Sequence, residues 1–175
     1  SWEITSEVRN VKQMAYRITS ASSVQDLQDE TDLLWDSGKQ ISDQSVHIEY
    51  KGRAPESRQR IYWQVEVWDN HGNDASSTES AWWEMGLLDH VDWKAKWITQ
   101  PWKNDMKKST PCPYFRKSFK IAKPVESARI YAACLGLYEL ELNGKKVGDE
   151  VFTPGWTNYH KRIQYQVYEV TDQLH

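Results

Sequence analysis

Three side chains in one short stretch carry the most suggestive chemistry of this sequence. Trp156, Asn158 and Tyr159 follow a Pro154-Gly155 turn. Flat aromatic faces with a neighbouring amide suit the stacking and hydrogen bonding of a sugar ring, so these three are the candidate carbohydrate-contact residues. They also fit a plainer role, in which Trp156 and Tyr159 pack beneath the turn and lock it. That packing reading is the simpler of the two. Glu139 and Glu141 put two carboxylates on one side of an alternating run, and paired carboxyl groups are what glycoside hydrolysis requires. In a strand, however, they are simply the solvent face opposite Tyr138, Leu140 and Leu142. Asp149 and Glu150 are strand neighbours and point to opposite faces.

Other groups are isolated. Asp69 to Asp74 resembles the start of a calcium loop, but His71 and Asp74 stand where an acidic ligand and Gly belong, and no Glu occupies the twelfth place. It reads as a solvated hairpin turn. His47, His71, His90, His160 and His175 have no Ser or Cys nucleophile beside them in a known motif. No glycine-rich phosphate loop and no paired Cys/His spacing for zinc occurs. Cys134 reads as a small core residue, and Cys112 sits in a loop between two prolines. No catalytic residue and no metal ligand is therefore assigned.

The elements that must position these residues read as strands. From Ile61 to Trp68 the residues Trp63, Val65 and Val67 alternate with Tyr62, Gln64, Glu66 and Trp68. Period two with aromatic and β-branched residues marks a half-buried strand, and Trp63 is expected to lie buried between two sheets. Met14, Tyr16 and Ile18 alternate in the same way. Further candidates are Leu33–Trp35, Val46–Tyr50, Ala81–Met85, Phe115–Ile121, Ala128–Leu135, Leu137–Leu142 and Ile163–Val170. Asn143-Gly144 tolerates positive φ at both centres of a tight hairpin. Val24 to Leu34 offers at most one turn of helix.

Composition agrees. Ten Trp, nine Tyr and three Phe, in 175 residues that are 39% hydrophobic, supply packed cores despite a mean hydropathy of −0.80. Lys and Arg total 22 against 25 Asp and Glu, a net charge of −3 with no basic stripe, which argues against nucleic acid as a partner. No apolar run approaches the ~20 residues of a membrane span. Ser1 to Ile4 read like the middle of a strand, with no signal peptide ahead, so a trimmed chain is expected.

The expected fold class is all-β, with two sandwich domains in tandem. Residues 1–87 hold six or seven short strands, which fits an immunoglobulin-like or fibronectin-III-like sandwich. Residues 88–96 read as a linker. Residues 97–175 read as the start of a second sandwich that stops before completion. Its open strand edges invite pairing with another chain, including self-association.

These motifs together resemble bacterial α-L-rhamnosidases of glycoside hydrolase family 78. The resemblance rests on Gln13–Ile18, Leu34–Gly38, Tyr62–Asp69, Phe115–Phe119, Ala133–Leu140, Leu142–Asp149, Pro154–Tyr159 and Tyr165–Asp172, which arrive in the family's order. It implies a fibronectin-III-like domain followed by the N-terminal part of a jelly-roll-like sandwich. It also implies a parent enzyme that hydrolyses terminal α-L-rhamnose from glycans by an inverting mechanism in a later (α/α)₆ barrel. An inverting site needs two carboxyl groups roughly 6.5–9.5 Å apart, and the barrel that carries them is absent here. This chain alone is thus expected to be inactive, with the rest of the parent chain and, through it, a rhamnose-containing glycan as partners. The alternatives are a free-standing carbohydrate-binding module and a structural or adhesive sandwich without ligand. No cofactor is expected. Some relatives use a similar domain with calcium to hold rhamnose, which leaves calcium open although no ligands match. A periplasmic or secreted bacterial location is favoured over the cytoplasm.

Overall fold

The computed structural model describes residues 1–103, 105 and 107–174. It divides into two compact units, Ser1–Lys96 and Trp97–His175, and strands dominate the regular structure of both.

The first unit is built on one sheet. Strand β1 (Gln13–Ala21) lies between β2 (Trp35–Asp36) and β3 (Arg60–Asp69). The far side of β3 takes β4 (Asp74–Ser76) along one half and β5 (Ala81–Glu84) along the other. All pairings are antiparallel. The register sets Tyr16 opposite Val67 and Ile18 opposite Val65, and these four side chains form the core, with Trp2, Trp35, Ile48 and Trp63 packed against it. Such cross-strand pairs are the unit from which a sheet draws stability. Between β1 and β2, helix α1 (Val24–Gln28) makes its single turn. The Ser23 side chain caps it by accepting from the Asp26 N–H, and Leu27 anchors it, fully buried.

The second unit carries less regular structure. Strand β6 (Arg129–Ala133) pairs antiparallel with β9 (Tyr165–Glu169). Between them β7 (Glu141–Leu142) and β8 (Lys145–Lys146) form a ribbon joined by Asn143 (φ 52°) and Gly144 (φ 76°). Both turn residues are left-handed, as a two-residue hairpin demands. Val147, Tyr168 and Val170 form the core, with Ile130, Tyr138, Leu140 and Leu142 packed around it.

The all-β reading holds, and four details depart from the sequence expectations. Val46–Tyr50 is not a strand, because His47 takes φ 55°, which breaks the extended run. Tyr50 instead sets its ring edge-on against Trp35 and Trp83, at 5.3 and 5.6 Å. Phe115–Ile121 is not a strand either: among the described residues nothing pairs with it. Ser1 to Ile4 form no strand, although Trp2 reaches the core. Trp63 is on the core face but only half-buried, because the side opposite the sheet is covered by irregular chain rather than by a second ladder.

Candidate functional site

The turn that carries Trp156, Asn158 and Tyr159 hangs from the body of the second unit. Tyr138 and Thr153 bridge antiparallel: the Tyr138 N–H donates to the Thr153 carbonyl at 2.9 Å, and the Thr153 hydroxyl donates back to the Tyr138 carbonyl at 3.1 Å. Thr153 and Pro154 are buried and fix the root of the loop. The Gly155 N–H then donates to the Phe152 carbonyl at 3.0 Å, with Gly155 at φ 91°. That left-handed conformation is one a side chain rarely adopts, so glycine is required where the chain reverses. Further on, the Lys161 and Arg162 N–H groups share the Asn158 carbonyl at 2.8 and 2.9 Å, and the Thr157 hydroxyl donates to the Arg162 carbonyl at 2.5 Å.

The three predicted residues meet different fates within this loop. The Tyr159 hydroxyl accepts the Gly136 N–H at 2.9 Å, so Tyr159 ties the turn to the 135–137 loop. Trp156 does not pack beneath anything and is 79% exposed. Its ring lies 5.8 Å from that of Tyr159 and is tilted by 32°. Asn158 is exposed, and its side-chain oxygen accepts the His160 N–H at 3.1 Å. The loop therefore brings the three together, with Tyr159 as a strut and Trp156 as an open face.

Several carboxylates elsewhere are committed to structure. Asp69 accepts the His71 and Asn73 N–H groups, each at 2.8 Å, together with the Asn73 side-chain amide at 3.0 Å. Those donors, led by the Asn73 amide, hold its carboxyl below the usual range. Asp36 and Glu30 both grip Arg17, at 2.8 and 2.9 Å. The guanidinium holds the Asp36 carboxyl below its ordinary value, while Asp36, then Glu30, strengthen the grip of Arg17 on its proton. Asp92 is held low chiefly by the Ser57 hydroxyl. Glu139 and Glu141 are exposed, and Glu141 sits across the ribbon from Lys146. Among the described residues no three His, Cys, Asp or Glu side chains gather into a metal-sized cluster. Both cysteines are free thiols: Cys112 is exposed and Cys134 is half-buried. In the core below the loop, the Tyr138 and Tyr168 hydroxyls meet at 2.9 Å, and burial, followed by that contact, pushes the Tyr138 phenol well above its normal range.

One further concavity, missed from the sequence, is an open groove of about 390 Å³ in the first unit. Its walls include Tyr16, Trp35, Asp36, Gln40, Gln44 and His47. The sequence signal is weak because these residues come from three separate stretches. Most of its polar groups are already spent: Gln40 donates to the Ser37 carbonyl, Gln44 to the Val46 carbonyl, and Asp36 is paired with Arg17. Its floor aromatic Tyr16 is buried, so it offers no free face.

Comparison with known proteins bears on both units. Residues 1–89 match the family described as Rha78A-like, N-terminal immunoglobulin domain, and residues 123–175 match the alpha-L-rhamnosidase N-terminal domain. An alpha-L-rhamnosidase of Formosa agariphila is 39% identical over 99% of this chain, which spans only 19% of that protein. One from Alteromonas sp. is 35% identical over 98% of the chain, again 19% of the relative. The solved structure of alpha-L-rhamnosidase from Dictyoglumus thermophilum superposes with a TM-score of 0.89 at 37% identity, covering 100% of this chain and 21% of that one. That from Aspergillus terreus gives 0.74 at 28% identity, over 98% of this chain and 19% of that one. The chain thus spans about one fifth of the relatives it matches. By its first 89 residues it belongs to the Rha78A-like N-terminal immunoglobulin domains, continued by the N-terminal domain of the alpha-L-rhamnosidases.

Proposed function

We propose that this chain is a non-catalytic accessory region of an α-L-rhamnosidase, whose remaining polypeptide hydrolyses terminal α-L-rhamnose with inversion. The observation that carries this reading is coverage: nearly all of the chain aligns with proteins named alpha-L-rhamnosidase, yet it accounts for about one fifth of them. Hydrolysis with inversion requires an acid and a base across a sugar-sized gap. The acidic groups described above are tied to turns, to arginine or to an exposed strand face, which suits support rather than bond cleavage.

The partner in this reading is the rest of the parent chain. Tyr114, Phe115, Phe119 and Ile121 stand exposed on a stretch with no strand partner among the described residues. Unpaired backbone with exposed apolar side chains can take up another strand, and the parent polypeptide is the neighbour in closest supply. The test is direct. The purified chain is incubated with an aryl α-L-rhamnoside, and no aryl alcohol should be released above the uncatalysed rate. Turnover abolished by a single Glu or Asp substitution in this chain would overturn the proposal.

A further inference from the structure

We infer that the stretch from Lys107 to Lys123 is a docking surface for an acidic, apolar strand, supplied by the remaining polypeptide of the parent enzyme. The inference rests on the accessory reading above and adds the chemistry of the partner to it.

The stretch stands apart in charge. Lys107, Lys108, Arg116, Lys117, Lys120 and Lys123 are all exposed, and no Asp or Glu lies between Lys107 and Val125. The whole chain has 22 Lys and Arg against 25 Asp and Glu, so 22 less these six leaves 16 cations against the same 25 acids elsewhere. The positive charge is therefore local, on a molecule that is otherwise acidic. Other cations pair with carboxylates: Arg17 with Asp36 and Glu30, Arg60 with Glu84, and Arg129 with Glu169. Among the described residues none of the six side chains in this stretch has an ion-pair partner.

The apolar side chains are interleaved with these charges. In a strand, Phe115, Lys117, Phe119 and Ile121 fall on one face and Arg116, Ser118 and Lys120 on the other. Covering the aromatic face also takes water from the cations on the same backbone. A charge that loses its water without gaining a partner is penalised, and like charges placed directly opposite one another destabilise a ladder. A neutral or basic strand meets that penalty in full. Carboxylates opposite Arg116, Lys117 and Lys120 replace it with cross-strand attraction and also fix the register. The interruption of the cations by Phe115, Phe119 and Ile121 suits a strand ladder rather than a track of phosphates. The parent polypeptide is the occupant because this chain makes up 19% of one relative and 21% of another. Most of such a polypeptide lies outside this region, and a short covalent tether holds a neighbour at an effective concentration on the order of millimolar.

The probe is the peptide acetyl-Val-Glu-Val-Thr-Glu-Glu-Val-amide, whose acids fall opposite Lys120, Lys117 and Arg116 in an antiparallel ladder. Versions with Gln or Lys in place of Glu are the controls. Each is titrated into the ¹⁵N-labelled 175-residue chain while the amides of residues 114–121 are followed. The expected result is a saturable shift with the acidic peptide, at least about tenfold weaker with the Gln version and absent with the Lys version. Raising the salt from about 0.05 to about 0.5 M should weaken the acidic peptide severalfold. A chain carrying both Arg116→Glu and Lys120→Glu should melt at the wild-type temperature, since both sites are exposed, and should prefer the Lys peptide. No saturable shift with the acidic peptide, or an equal one with the Gln version, would overturn the inference. So would an equal response to inorganic tripolyphosphate, which would reduce the site to bare charge. Shifts that follow protein concentration without peptide would overturn it too, by giving the stretch to a second copy. All of these leave the accessory role intact, whereas rhamnoside turnover by this chain would sink that role without altering the charge preference of the surface.

Discussion

In the first unit Ile61 and Leu27 are 0% exposed, and β1, flanked by strands on both sides, buries small residues as well as large: Ala15, Thr19, Ser20 and Ala21 are all buried. In the second unit Tyr114 is 100% exposed, and Phe115 and Phe119 exceed half exposure. Among the described residues, the strands there form two ribbons of two strands each. A lone two-stranded ribbon is marginal in water, and three or more strands or a packed layer are needed for independence. The contrast therefore separates a unit whose sheet is broadly buried from one with a smaller core and more exposed apolar surface. Under the proposed accessory role, the exposed stretch of the second unit is the surface offered to the rest of the enzyme.

The comparison can be broken most sharply in the first core. Ile61→Ala should cost about 2–5 kcal/mol in urea melts, a large share of the ~5–15 kcal/mol of a whole domain. Phe119→Ala, in the second unit, should change stability by less than about 0.5 kcal/mol. Equal losses would erase the contrast. Trp63→Ala is expected near ~2 kcal/mol, below the ~3–5 of a fully buried tryptophan, because the ring is only half-buried. Within the second core, Tyr168→Phe removes the hydroxyl that meets Tyr138, and a loss of about 1 kcal/mol is expected. A change that raised stability would show that the tyrosine pair is not a net support.

The smallest effect is electrostatic. The carboxyl of Asp36 is held low in the folded state by Arg17. Its contribution is therefore present above the unfolded value of ~3.9 and is lost as pH falls through the lower, folded value. The pair is partly exposed, with side chains at 25% and 38%, which limits the gain to under about 1 kcal/mol. Between neutral and acid pH the urea midpoint of the wild type should fall more steeply than that of Asp36→Asn. Parallel curves would remove Asp36 from the account.

Much of this organisation could be read from residue pattern alone. Period two located β3, β6 and β9, and the Asn143-Gly144 pair located a hairpin, because each signal is local. The failures are where the deciding contact is distant. Phe115 to Ile121 has the alternation of a strand, yet alternation supplies no neighbour to pair with. Val46 to Tyr50 has it too, but His47 turns left-handed. Strand β4 went unseen because Asp74–Ser76 is short and polar and is held only by its register with Glu66–Trp68. In the candidate site the residue types named the loop correctly as a turn, but Trp156 and Tyr159 were given one shared fate. They part because a single bond, from the Gly136 N–H to the Tyr159 hydroxyl, ties one ring down and leaves the other open. Nothing in the spacing of the two residues announces that bond.

The measurement that bears most directly on the contrast between the two units is amide hydrogen exchange on the chain by itself. Residues 61–68 of β3 should exchange through global unfolding, slowest of all. Amides of residues 114–121, lacking a ladder, should exchange at close to unprotected rates. Protection of 114–121 equal to that of β3 would mean that the second unit finds its partners within this chain, and the account of it as a joint awaiting the parent enzyme would be contradicted.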